Sequence, residues 1–559
     1  MNYDYQDPDR GNEERMERRR KRRRREQRLR VLACVLAAVI IVGAAGAIWF
    51  LAAVDREEGR TADAGSGAVV LDAGQAQAPE EDPAAEGSDD AGAQAPAVVI
   101  LGSDDENEDS GEAAPKAPEV IPETEAAAAP KPQTEDTPAQ QAPEAGSRED
   151  VIGQARTLAL GYDYDAAIGL LKQIPGYESD EEITEAISTY EAERDACVPV
   201  DVLTVPHIFY HSLVNDPDAA FNVEVVGQSG VDGMNAWMTT VDEFDKITQS
   251  LYDRGFVYVR LRDLVTETVD ADGTVHFEQN THLMLPEGKK PVVLSVDDLS
   301  YYHSYESASF PDKLVLDDEG RVRCHYVKTD GTESIGDYDV VPRLESFLRE
   351  HPDGAYRGAR GLIALTGYNG VFGYRTDIDY LVREHLMSDQ SKWLEEHPDF
   401  DYDREIAEAT QIADALKAEG WEFASHTWGH LSVTGKTAEA LATDNEKWVN
   451  TVQNIVGPVD TIIFAHGNDI GSWEGYTADN PQYAYYNSAG YHFYCNVDSS
   501  VPYWVQITDA YVRQGRIDLD GYMLYQASQG NTSVLDQFMD PQEVFDSRRP
   551  TPVIANGEV

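Results

Sequence analysis

The sequence predicts an α/β domain built on a parallel sheet or barrel, standing behind a membrane-spanning segment, an acidic linker and a short helical neck. Three observations carry that prediction. An uncharged run over 31–54 follows a dense basic cluster. Residues 55–147 hold few large apolar side chains. Beyond residue 198, short β-branched and aromatic runs alternate with helical patterns, as βα units require.

The first 30 residues form a basic segment expected in the cytoplasm, with 12 Lys/Arg against 7 Asp/Glu, a local charge of +5. The run 31–54 would rise about 36 Å as a helix, enough to cross a hydrocarbon core of roughly 30 Å. Trp49 and Phe50 stand near its far end, where aromatic rings favour the interface. Basic residues stay inside, so the C-terminal part is expected outside the cell as a single-pass membrane protein. A cleaved leader is the competing reading, because Ala52 and Ala53 also suit a peptidase.

With 559 residues the chain exceeds one ordinary domain, and its net charge is −56, leaving −61 after the basic segment. Phosphate recognition needs a basic face, so nucleic acid is not an expected partner. The Ala/Pro/Glu-rich stretch 55–147 cannot bury enough surface to offset chain entropy and is expected to be a disordered tether. Cys34 lies in the apolar run, and Cys197, Cys324 and Cys495 are too scattered for a disulfide framework or a paired-cysteine metal site. One bridge among those three stays open.

Ordered structure is expected from 148. Ala155, Leu158, Ala159, then Tyr164, Ala167, Ile168 and Leu171, recur at helical spacing. The segment 161–171 resembles part of a tetratricopeptide unit. One such unit cannot bury its own face, so 148–197 reads as a helical hairpin packed on the next domain.

In the region 198–545 the strand candidates are 207–211, 257–261, 292–296, 362–365, 422–424, 461–464 and 491–494. The helix candidates are 241–254, 343–350, 403–419 and 437–456. Residues 546–559 read as a tail. In folds of this kind chemistry gathers at the C-terminal ends of strands. Asp297 and Asp298 follow the apolar run 291–296, and adjacent carboxylates resist joint ionisation unless a cation neutralises one. His426 and His430 follow the run 421–424 and, four apart, could face one ion if the segment winds a helical turn. Ser425 or Thr427 could orient a ring. On spacing alone, satisfied surface histidines are the better reading of the pair.

In order and separation these segments resemble the NodB-type polysaccharide deacetylases, also called carbohydrate esterase family four. The run 205–213 resembles that family's opening strand. Leu294-Ser295-Val296-Asp297-Asp298 resembles its first motif, and Ser425-His426-Thr427-Trp428-Gly429-His430 its second. The run 462–467 falls where its third motif lies. The resemblance spans about 200–520 and implies a distorted (β/α) barrel of about seven strands. It further implies Asp298, His426 and His430 as ligands of a divalent metal, zinc foremost, with Asp297 as general base. The chain departs from the pattern at Leu299, which stands where a glycine is usual. It lacks an evident third-motif arginine, and no histidine follows His492 to supply the family's usual acid. His211 and His466 are the candidate replacements, since imidazole titrates near neutrality. The segment 515–519 resembles a variant ending. The insert 300–339 could line or cap the site, and Tyr368, Tyr374, Trp428 and Trp473 could stack on sugar rings.

The resulting expectation is a hydrolase that removes acetyl groups, N-acetyl foremost, from a cell-surface polysaccharide or peptidoglycan. A non-catalytic glycan-binding protein on the same fold and an O-acetyl esterase are the alternatives.

Overall fold

The computed structural model describes residues 147–306 and 309–555. The predicted span 31–54, the basic segment and nearly all of the linker lie outside the described residues. Among the described residues no helix is long and apolar enough to cross a membrane.

Seven parallel strands close a ring in chain order. They are β1 (His207–Tyr210), β2 (Lys290–Asp297), β3 (Leu362–Leu365), β4 (Glu422–Ser425), β5 (Thr461–Ile463), β6 (Phe493–Val497) and β7 (Val512–Asp518). Ring closure comes from β7 on β1, with Arg516 opposite His207, and from β2 on both β1 and β3. β1, β2, β5 and β6 are rich in β-branched or aromatic residues, as buried parallel strands are.

Helices cover the outside. α1 (Arg148–Leu160), α2 (Tyr164–Leu171) and α3 (Glu181–Asp195) precede the barrel. α4 (Val241–Asp253) joins β1 to β2, α5 (Val340–Glu350) β2 to β3, α6 (Tyr402–Glu419) β3 to β4, and α7 (Ala438–Thr451) β4 to β5. The outward strand residues Ile208, Leu294, Ile363 and Phe423 pack on Phe244, Leu344, Ile412 and Trp448 of those helices. Thr240 and Glu243 form a capping box on α4, and Asp401 caps α6. Gly420 ends α6 at φ 104°, where a Cβ would come within 2.4 Å of the Gly358 carbonyl oxygen.

Three expectations need correction. The strand predicted at 257–261 (observed Phe256–Tyr258) pairs with the start of β2 and stands outside the ring. Its place in the count of seven is taken by β7, whose polar alternation of Gln514, Arg516 and Asp518 hides it from a search for apolar runs. The helix predicted over 437–456 breaks after Thr451 into a separate turn at Gln453–Val456.

The neck holds three helices. Ala155, Ile168, Leu171, Ile183 and Ile187 belong to one apolar cluster with Val293, Ala364, Ala424 and Ile463 of the barrel interior. Tyr162 Oη donates to the Asp353 carbonyl at 2.7 Å, and Cys197–Pro199 pairs with Met284–Pro286. Cys197, Cys324 and Cys495 are buried free thiols, so no bridge joins them.

Candidate metal centre

The inward residues of β1, β2 and β7 replace apolar packing with a chain of polar contacts. The Gln514 amide nitrogen donates to the Val205 carbonyl, so its oxygen accepts from His207 Nδ1 at 3.1 Å. That fixes the tautomer, and His207 Nε2 then accepts from Ser295 Oγ at 3.0 Å. Burial, with the Arg516 charge behind it, holds the His207 pKa well below its usual value. Arg516 donates from Nη1 to Ser295 Oγ at 3.1 Å and to Asp297 Oδ1 at 2.7 Å, its guanidinium 4.1 Å above the Phe209 ring.

Asp297 closes β2 and is fully enclosed. Burial alone would raise its pKa. The Arg516 charge, then His426, the Arg516 hydrogen bond and His211 outweigh that and hold the carboxyl down to about 2. Oδ1 is occupied by Arg516, which leaves Oδ2 to face His426 Nε2 at 3.9 Å.

Asp298 leaves the strand in the left-handed region, at φ 58°. That turn reverses the alternation of β2, so adjacent carboxylates reach one pocket. Tyr302 Oη donates to Asp298 Oδ1 at 2.6 Å. Oδ2 is buried and accepts no hydrogen bond. An orphaned carboxylate oxygen in a dry site is costly and calls for a cation.

His426 begins the turn after β4. Its Nδ1 donates to the Ile463 carbonyl at 2.7 Å, which leaves the Nε2 lone pair facing inward. Burial drives its pKa down to about 4, so the ring is neutral at pH 7. The segment to His430 winds no helix. It is a loop with Thr427 at φ 63° and His430 at φ 51°, so the two rings approach each other without a helical turn. Asp444 of α7 fixes the loop by accepting from the Trp428 and Gly429 amides at 2.7 and 2.9 Å. Ser425 and Thr427 accept from backbone amides of the loop, so they shape it without touching a ring. His430 Nε2 stands 3.5 Å from Asp298 Oδ2. Burial, then the charges of His466 and His211, press the His430 pKa well below its usual value.

One ligand atom from each of Asp298, His426 and His430 lies within 4.8 Å of the other two. Tetrahedral ligands at zinc distances are about 3.4 Å apart, so the Asp298–His430 pair is already spaced for one ion and His426 needs a small inward shift. Two neutral imidazoles and an orphaned carboxylate are a donor set that fits a divalent cation.

No family model matches this chain, and no curated protein does. Among solved structures the chain is similar to the Streptococcus pyogenes deacetylase PplD in complex with acetate, at 12% identity and a TM-score of 0.28. That likeness covers 58% of this chain and 95% of the other, and at that depth it carries no argument about the site. The chemistry is therefore read from the residues themselves.

The remaining sequence candidates divide. His211 follows β1 at the same mouth, and its buried Nδ1 has no hydrogen-bond partner. His466 packs edge-on against His430 at 4.3 Å and its Nε2 donates to the His430 carbonyl at 3.1 Å. Tyr368 stacks on Tyr302 at 4.8 Å, beside Asp298. Tyr374 donates to the Leu314 carbonyl and is buried under the insert, which removes it from sugar contact. Trp428 lies beneath the Lys447 ammonium at 4.1 Å. Trp473 is exposed.

Sequence reasoning missed two residues. Arg516 supplies the guanidinium that the third-motif segment lacks, and the polar alternation of 514–518 was the signal available. Tyr302 reaches Asp298 from the insert, whose tyrosines follow the Asp297-Asp298 turn in the sequence, but nothing there singles out this one.

Proposed function

We propose that this chain is a metal-dependent hydrolase that removes acetyl groups from a surface polysaccharide or peptidoglycan, N-acetyl groups in preference to O-acetyl. The observation that carries the reading is the orphaned Asp298 Oδ2 beside two neutral imidazoles, 3.5 Å from one of them, next to a second carboxylate already claimed by an arginine. Asp298, His426 and His430 hold the ion. A divalent cation there supplies Lewis acidity to the acetyl carbonyl and lowers the pKa of the attacking water.

Asp297 receives the proton of that water. Arg516 keeps Oδ1 occupied, so Oδ2 is the oxygen that accepts. A carboxyl held at about 2 is ionised throughout the physiological range, so Oδ2 is free to accept a proton. His211 donates to the departing nitrogen, which cannot leave as an amide anion. His466 positions His430 through its backbone carbonyl. The polymer reading follows from the predicted anchoring by 31–54, with the barrel held outside the cell.

The test is metal analysis of the purified chain together with acetate release from N- and O-acetylated glycans, for the native chain and His426→Ala. We expect about one divalent ion per chain, acetate release, and loss of both in the variant. Bound metal without release from any acetylated glycan would leave the binding-protein alternative standing.

A further inference from the structure

Among the described residues Trp473 is the most exposed large apolar side chain, at 77%. It stands in a five-residue surface loop, 471–475, between buried Ile470 and Tyr476. Free loops do not hold an indole in water at a fixed place, but this loop is clamped. The guanidinium of Arg513, on β7 and 2% exposed, donates to the Ser472 carbonyl and to the Glu474 carbonyl, each at 2.8 Å. It thereby grips the backbone on both sides of Trp473. The same guanidinium pairs with Asp469 at 2.8 Å and lies 4.0 Å over the Tyr476 ring. Tyr476 N donates to Tyr511 Oη at 2.7 Å, and Asn480 Nδ2 donates to the Ile470 carbonyl at 2.7 Å, which pin the loop's ends.

We infer that Trp473 is a stacking platform for a pyranose ring of the polymer, outside the catalytic pocket. This rests on the proposed activity. Trp473 lies seven residues beyond His466, so it stands within about 25 Å of the catalytic mouth along the chain. An extended glycan is long enough to span that distance.

The chemistry around the indole selects the occupant. Its apolar footprint is one side chain wide and rimmed by Ser472 and Glu474, both exposed. A sugar ring offers a matching C–H face with hydroxyls at its edge. A protein partner would need about 800 Å² on each side. The segment 466–480 carries Asp469, Glu474 and Asp479 and no Lys or Arg, which opposes an anionic membrane surface or an anionic polymer. A neutral N-acetylated chain meets no such repulsion, and the ammonium left by N-deacetylation is attracted.

The test uses the full chain, metal-loaded, as native, Trp473→Ala and Trp473→Tyr proteins. Co-sedimentation is measured with purified peptidoglycan and with insoluble poly-N-acetylglucosamine, and kinetics with the soluble N-acetylglucosamine dimer. The exposed position leaves the Tm of both variants at the native value. We expect Trp473→Ala to weaken binding to at least one polymer about tenfold and Trp473→Tyr to restore most of it. Turnover of the soluble dimer stays unchanged. Equal binding by the native and Ala chains, no polymer binding at all, or Trp473-dependent binding to phosphatidylglycerol vesicles instead would each overturn the inference. Absence of acetate release from dimer and polymer alike, with Trp473-dependent polymer binding kept, would sink the proposed hydrolysis and leave the platform.

Discussion

Arg516 decides how Asp297 behaves. Without it, a fully buried carboxyl would hold its proton and could accept none. Arg516→Lys keeps the charge and loses the planar fork that reaches Ser295 and Asp297 together. We expect kcat to fall about a hundredfold or more while bound metal stays at the native level, because Arg516 is no ligand. Turnover within a factor of three of native would remove Arg516 from the machinery. Arg516→Gln goes further and strands a buried charge, at a stability cost of about 3–5 kcal/mol. The Asp297-Asp298 and His426/His430 pairs could be singled out in the sequence because each follows an apolar strand, but the roles proposed for them rest on motif resemblance and not on spacing. Arg516 could not be, because its role exists only once β7 is laid beside β1 and opposite β2. The route by which His426 and His430 meet was not legible for a related reason. Spacing of four states only that two side chains can meet, and here the left-handed Thr427 and His430 achieve it in a loop.

Elements are tied to the site through a few buried side chains at their junctions. Asp339 caps α5 by accepting from the Val340 amide at 2.8 Å. It also accepts from the Leu213 amide, just past β1, at 2.9 Å and from Tyr301 Oη of the insert at 2.8 Å. Burial is the larger influence and raises the Asp339 pKa from 3.8 to about 6, against those hydrogen bonds. The consequence for stability has a definite sign. Below pH 3.8 the folded and unfolded chains both carry the proton and Asp339 contributes nothing. Between 3.8 and about 6 the unfolded chain ionises first, so stability falls as pH rises. Above about 6 the penalty is constant, at about 3 kcal/mol. Denaturant midpoints of native and Asp339→Asn chains across pH 4–7 test this. The variant's stability relative to native should climb over that window and level off, whereas a flat difference would show that Asp339 titrates at its ordinary value. The helices were readable from their 3.6-residue periodicity, and α4, α5 and α6 lie where that periodicity placed them. The antiparallel sheet of the insert, Lys313–Leu316, Val322–Val327 and Glu333–Gly336, was not, because its strands are short and stand outside the repeating βα pattern.

At the scale of the whole molecule, the helical neck and the barrel share one interior. The helical pattern at 148–197 was visible in the sequence, but a pattern of buried faces does not say against what they are buried. The structure places Ala155, Leu171 and Ile183 in the same cluster as Val293, Ala424 and Ile463 of the barrel strands. Tyr162 and Cys197–Pro199 tie the neck to the segments that lead into β3 and β2. The neck is thus coupled to the barrel, and its stability is expected to move with that of the candidate site. Leu171 is 1% exposed, and Leu171→Ala removes three carbons from a packed site at a cost of about 2–5 kcal/mol. If the neck folded independently, calorimetry of the variant would show a low-temperature transition splitting off from an unmoved main one. A shared core requires a single transition of native cooperativity displaced as a whole to lower temperature, with acetate release falling along that same curve.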